Sequence, residues 1–284
     1  MKLFLIGVPA QQSAIDLMVD ACQRKNVPYE ILDPSNTNPS KVEINPGDSL
    51  CRISYAYSYG CLELEYSLMK PGVTTFYKDN NILLLGDENF DSIVLSHFNI
   101  PIPKTINYIP KDRQVLEECI NELGGFPIII KSLNPVQNAY VMRIDSFQSL
   151  FSISNYLLRQ GGVFVLKEFC NTLSTARLVV LGDKVIDAIE YPTAQDEFRS
   201  NKAAESNAQP KIFDQQIQDL AIRATHALGL EFAGVDIIIT ETGPKVVDIN
   251  FPCTFAKHKE ITGTDIAGQM VDYLLNKSTT HPNQ

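Results

Sequence analysis

The stretch 234-GVDIIITETGPKVVDIN-250 sets two acids inside otherwise apolar text. Phe-Ala-Gly-Val-Asp-Ile-Ile-Ile-Thr and Pro-Lys-Val-Val-Asp-Ile-Asn-Phe read as β-strands, and Glu241-Thr242-Gly243 reads as the turn of an antiparallel hairpin. Asp236 and Asp248 then lie on neighbouring strands. Asn250 stands two residues past Asp248, so by alternation it shares a sheet face with it. Three oxygen-bearing side chains converge on one point. Hard divalent ions such as Mg²⁺ take oxygen ligands in an octahedron and share them with substrate phosphates. The plain alternative is a hairpin with three solvated polar residues. Two acids among Val and Ile weigh toward the metal.

Outward from the hairpin, 214-DQQIQDLAIRATHALGL-230 has helical periodicity, and 177-RLVVLGDKVIDAIEY-191 reads as a second hairpin turning at Gly182-Asp183. Pro192 to Pro210 is polar and aperiodic. Further upstream come the strand VFVLKEF, the helix SFQSLFSISNYLLRQ, and two strands, FPIIIK and AYVMRI, joined by a loop without glycine. The helix QVLEECINELGG stops at Gly124-Gly125, and DENFDSIVLSHFN is closed by the prolines of IPIPKT. At the start, KLFLIG, AIDLMVDACQRKN and YEILD give strand, helix, strand, with Ile15, Leu17, Met18 and Cys22 on one helical face. The order predicts an α/β unit followed by α+β lobes, with boundaries near Leu85 and Phe164.

The chain has 284 residues, 44% hydrophobic, and a formal net charge of −9. That balance argues against a mainly electrostatic nucleic-acid binder. No stretch is long enough to cross a membrane, and MKLFLIGVPA reads as a first strand rather than a signal peptide. Six scattered cysteines, with no C-x-x-C pair, fit reduced thiols in a cytoplasmic protein better than a disulfide scaffold or a zinc cluster.

The ordered fragments FPIIIKSL, VLKEF, ARLVVLGDKVIDAIE, DEFRSN, ALGLEFAGVDIII, PKVVDIN and TGTDIAG resemble ATP-grasp ligases, closest to the RimK-like carboxylate–amine ligases, over about residues 85 to 275. The resemblance implies an ATP-grasp fold: a Rossmann-like N-terminal (pre-ATP-grasp) α/β domain over 1–85, a central lid lobe over 86–163 and a C-terminal lobe over 164–275; the residues of 276–284 themselves read as a flexible tail. It implies ATP and Mg²⁺ as cofactors and an amide-forming reaction through an acyl phosphate, on amino acids or a peptide. Lys131 matches a lysine that contacts ATP. Gln137 falls in the phosphate lid. Lys167, Glu168 and Phe169 match the hinge beside adenine, where backbone groups make the hydrogen bonds. Arg177 matches an arginine near the phosphates and the reacting acyl group, Arg199 and Asn201 the phosphate-side loop, and Asp236, Asp248 and Asn250 the magnesium ligands.

This chain departs from the pattern in five places. The loop from Asn134 to Tyr140 has no glycine, and Pro135 offers no N–H. Asp87-Glu88 stands where the family has Asp-Lys. Asp248 stands where a longer Glu is usual. Phe251-Pro252-Cys253-Thr254 and Ala203-Ala204-Glu205-Ser206 replace segments that normally touch phosphate or substrate. Two readings stand open: a specialised ligase, and a relative that binds nucleotide or a partner without turnover. Elsewhere, Cys253 and His226 read as structural, His258 as an exposed histidine within the basic run 257–259, and Arg52 as a weak substrate-contact candidate. Oligomeric state is left open.

Overall fold

The computed structural model describes residues 1–54, 60–78, 88–108, 110, 112–132, 141–192 and 207–280. In chain order its elements are β1 (Leu3–Ile6), α1 (Gln12–Arg24), β2 (Tyr29–Leu32), β3 (Ser49–Arg52), α2 (Cys61–Leu68), α3 (Glu88–His97), β4 (Thr105–Ile106), α4 (Arg113–Glu122), β5 (Ile128–Ser132), β6 (Val141–Ile144), α5 (Phe147–Arg159), β7 (Phe164–Glu168), β8 (Thr172–Leu181), β9 (Lys184–Pro192), β10 (Gln209–Pro210), α6 (Gln215–Ala227), β11 (Phe232–Thr240), β12 (Gly243–Asn250), α7 (Ala256–Thr262) and α8 (Ile266–Thr280).

Three sheets organise them. The first is parallel, in the order β2-β1-β3. Its central strand, LFLI, is buried along its whole length, as a parallel strand covered on both faces must be. Leu3 and Leu5 pack with α1 and α8 on one side; Phe4 and Ile6 pack with α2 on the other. The second sheet runs β4-β7-β5-β6. Ile128, Ile130 and Leu166 pack on Leu116, Ile120, Leu150 and Leu157 from α4 and α5. The third is antiparallel, β10-β9-β8-β11-β12. Ala176, Leu178, Ala233, Val235 and Ile237 bury one face against α6.

Helix starts follow local chemistry. Asp112, Ser146 and Asp214 accept hydrogen bonds from the N–H of Val115, Ser149 and Ile217, capping α4, α5 and α6. The β8–β9 hairpin turns at Gly182, whose φ of +59° suits a residue without Cβ.

One expectation is overturned. The helix α8 continues to Thr280, so no loose tail begins at 276. Lys277 anchors this end: it donates to the Thr75 and Tyr77 carbonyls at 3.1 and 3.0 Å and pairs with Glu231.

Candidate active site

The face of the five-stranded sheet turned away from α6 carries a polar row. Arg177 on β8 lies opposite Asp236 on β11, which lies opposite Asp248 on β12. Directly opposed residues point to the same side. Arg177 forks onto Asp236: Nε donates to Oδ1 at 2.6 Å and the Nη2 group to Oδ2 at 2.5 Å. Asn250 turns its amide nitrogen toward Asp236 Oδ2 at 3.4 Å. Burial works against the Arg177 charge, but Asp236 outweighs it and holds the guanidinium well above its ordinary pKa.

The second sheet supplies the opposite wall. Lys131 on β5 stands 3.4 Å from Asp248 Oδ1, joining the two sheets. Burial disfavours the Asp248 charge. Lys131, then Lys167 and Arg177, more than offset it and keep the carboxyl below its usual range. Lys131, Arg177, Asp236, Asp248 and Asn250 thus come together, with Lys167 on the same sheet face as Lys131.

Glu168 and Phe169, expected beside adenine, sit differently. The Glu168 N–H donates to the Lys104 carbonyl at 2.9 Å, and its carboxylate pairs with Lys245 of β12. Phe169 lies under the Arg143 guanidinium, 4.8 Å from its ring centroid. Gln137, Arg199 and Asn201 lie outside the described residues.

Lys245 is a residue that sequence reasoning missed. Strict alternation would turn it away from Asp248. A register shift in the β11–β12 ladder, where Asp236 faces Asp248 but Ile237 faces Val246, skips one residue and swings Lys245 onto the same face. No sequence signal marks that bulge.

His258 corrects a second expectation: it is 1% exposed rather than a surface residue. Its Nδ1 lies 2.7 Å from Asp187 Oδ2, and Thr264 donates to Asp187 Oδ1 at 2.8 Å. The helix α7 turns this position down onto β9, leaving only its neighbours as basic surface. Arg52 is also buried. Its Nε donates to Glu65 at 2.7 Å, Nη1 to the Ser54 carbonyl at 2.9 Å and Nη2 to the Tyr77 hydroxyl at 3.2 Å. These are internal partners, so Arg52 braces the fold. Burial pushes the Cys253 thiol up to about 12, in keeping with a packing cysteine rather than a nucleophile.

The donor set fits a hard cation. Two carboxylates and an amide line one face, although among the described residues no group of three or more His, Cys, Asp or Glu stands close enough to hold a metal ion by itself. Both Asp236 oxygens already accept from Arg177, so Asp248 and the Asn250 amide oxygen have more to offer an ion. No helix among the described residues is long and apolar enough to cross a membrane.

A family model described as a RimK-like ATP-grasp domain matches residues 87–274. A probable alpha-L-glutamate ligase of Chromohalobacter salexigens is 28% identical over 245 residues, covering 84% of this chain and 79% of that protein. One from Trichodesmium erythraeum is 30% identical over 184 residues, covering 64% of this chain and 60% of its own length. In fold, the chain is similar to the ATP-grasp ligase PsnB, solved with a phosphomimetic variant of its minimal precursor, Mg and ADP. The TM-score is 0.74 at 15% identity, over 97% of this chain and 98% of that one.

Proposed function

We propose, from the premise that the chain belongs to the RimK-like ATP-grasp family, that it is an ATP-dependent ligase joining the carboxylate of an amino acid or peptide to an amine. The observation that carries this reading is the meeting of Lys131 and Asp248 at 3.4 Å between two sheets, beside the Arg177–Asp236 pair. Cations and acids from separate sheets converge where a triphosphate and its metal need both.

The overall chemistry balances simply. A carboxylate oxygen bonds to the γ-phosphorus as the bond to ADP breaks, and the amine nitrogen then displaces phosphate from the acyl carbon and loses a proton. Phosphoryl transfer asks for charge neutralisation and alignment more than covalent help. Asp248, Asn250 and Asp236 would hold Mg²⁺, which neutralises phosphate charge when bound. Lys131 sets a compact positive charge beside that point. Arg177 spends two N–H groups on Asp236; the rest of its fork can stabilise charge developing on the acyl oxygen. The buried Asp236 keeps the guanidinium in place for that task. Similarity to proteins named alpha-L-glutamate ligases supports glutamate as one partner in the amide.

The test is phosphate release from ATP with Mg²⁺ across a panel of acids and amines, glutamate first. Release that needs both an acid and an amine, and is lost in Asp248→Asn, supports the ligase. ATP binding without release under every pairing would mark a nucleotide-binding relative without turnover.

A further inference from the structure

Lys167 stands opposite Ile129 across the β7–β5 ladder, and Lys131 lies two residues beyond Ile129 on β5. Both lysines therefore leave the same face of the second sheet as diagonal neighbours. The other face, with Ile128, Ile130 and Leu166, is sealed against α4 and α5. The lysine face looks across at the polar row of the third sheet, where Lys131 stands 3.4 Å from Asp248 Oδ1.

The backbone at Lys167 is already engaged. It is paired in register with Ile129 on one side and Thr105 of β4 on the other, and the following N–H, that of Glu168, is taken by Lys104. What this residue presents to the cleft is its ammonium. An ammonium is a strongly hydrated point charge suited to phosphate oxygens rather than to the edge of a base. Its location says the same: a cation beside Lys131 on the face that meets Asp248 lies near the carboxylate that would hold a metal ion, not where a purine would rest.

We propose that Lys167 grips the phosphate chain of the nucleotide with its side chain, forming a two-lysine clamp with Lys131 on adjacent strands. This rests on the reading of the cleft as an ATP site. It assigns the residue to the charged end of the nucleotide instead of to backbone recognition of adenine.

Calorimetry with adenosine, AMP, ADP and ATP in Mg²⁺, at low and high salt, tests it on wild type, Lys167→Met and Lys167→Arg. The expected result is a loss for Lys167→Met that grows with phosphate number, reaching about 10- to 100-fold for ATP, with adenosine unchanged. Lys167→Arg retains most ATP affinity, and the salt dependence of ATP binding weakens in the Met variant. Thermal unfolding confirms that the variants fold. ATP affinity unchanged in Lys167→Met, or equal losses for adenosine and ATP, overturns the clamp while leaving the ATP site intact. Wild type that binds no nucleotide overturns both.

Discussion

Among single side chains, the Arg177–Asp236 fork is a largely buried ion pair. Their side chains are 16% and 4% exposed, so removing one partner strands a buried charge. Arg177→Met and Asp236→Asn should each cost about 3–5 kcal/mol of stability. The double variant should cost clearly less than the two losses combined, as urea unfolding of the cycle would show; strict additivity would mean the pair does not interact. The Asp187–His258 pair makes a pH prediction. Burial disfavours the Asp187 charge, but the hydrogen bonds from His258 and Thr264 hold its pKa below the ordinary value. The folded state therefore keeps the proton off longer than the unfolded chain. Its stabilisation is complete above about pH 5 and is lost as pH falls through the lowered value. Asp187→Asn should flatten the acid limb of Tm against pH, and an unchanged limb would contradict the assignment.

Secondary-structure elements divide sharply into those legible in the sequence and those that were not. Asp112, Ser146 and Asp214 announce their helices because a capping oxygen acts within three residues, and periodicity supplies the rest. Asp214→Ala should cost about 1 kcal/mol in thermal or urea unfolding. The β8–β9 turn is equally local, since Gly182 takes a positive φ. The convergence of Asp236, Asp248 and Asn250 follows from alternation along two strands. The place of Lys245 does not, because a one-residue register shift leaves no trace in composition. Nor does the burial of His258, which depends on α7 docking on β9, a contact between segments far apart in the chain. Close packing adds a test of its own. A Cβ on Gly234 would meet Cys253 Sγ at 2.5 Å, immediately beside the acidic row. Gly234→Ala should destabilise by about 1–3 kcal/mol, and Cys253→Ala should restore much of that loss by making room. Failure of that rescue would mean the glycine is needed for another reason.

Across the whole molecule, the three sheets are tied by polar links with separate tasks. Arg52, Glu65 and Tyr77 form a buried knot, and Arg52 lies over the Phe251 ring at 5.0 Å, next to Asn250. The parallel sheet thereby braces the strand that ends the acidic row. Lys245–Glu168 and Lys131–Asp248 link the second sheet to the third. Opposite charges face each other at short range where these two sheets meet. The most direct measurement is calorimetric titration of ATP into wild type and Asp248→Ala, with Mg²⁺ and with a chelator. The account predicts Mg²⁺-dependent binding by the wild type that falls to the chelator level in the variant. Equal ATP affinity in both proteins, indifferent to Mg²⁺, would contradict it.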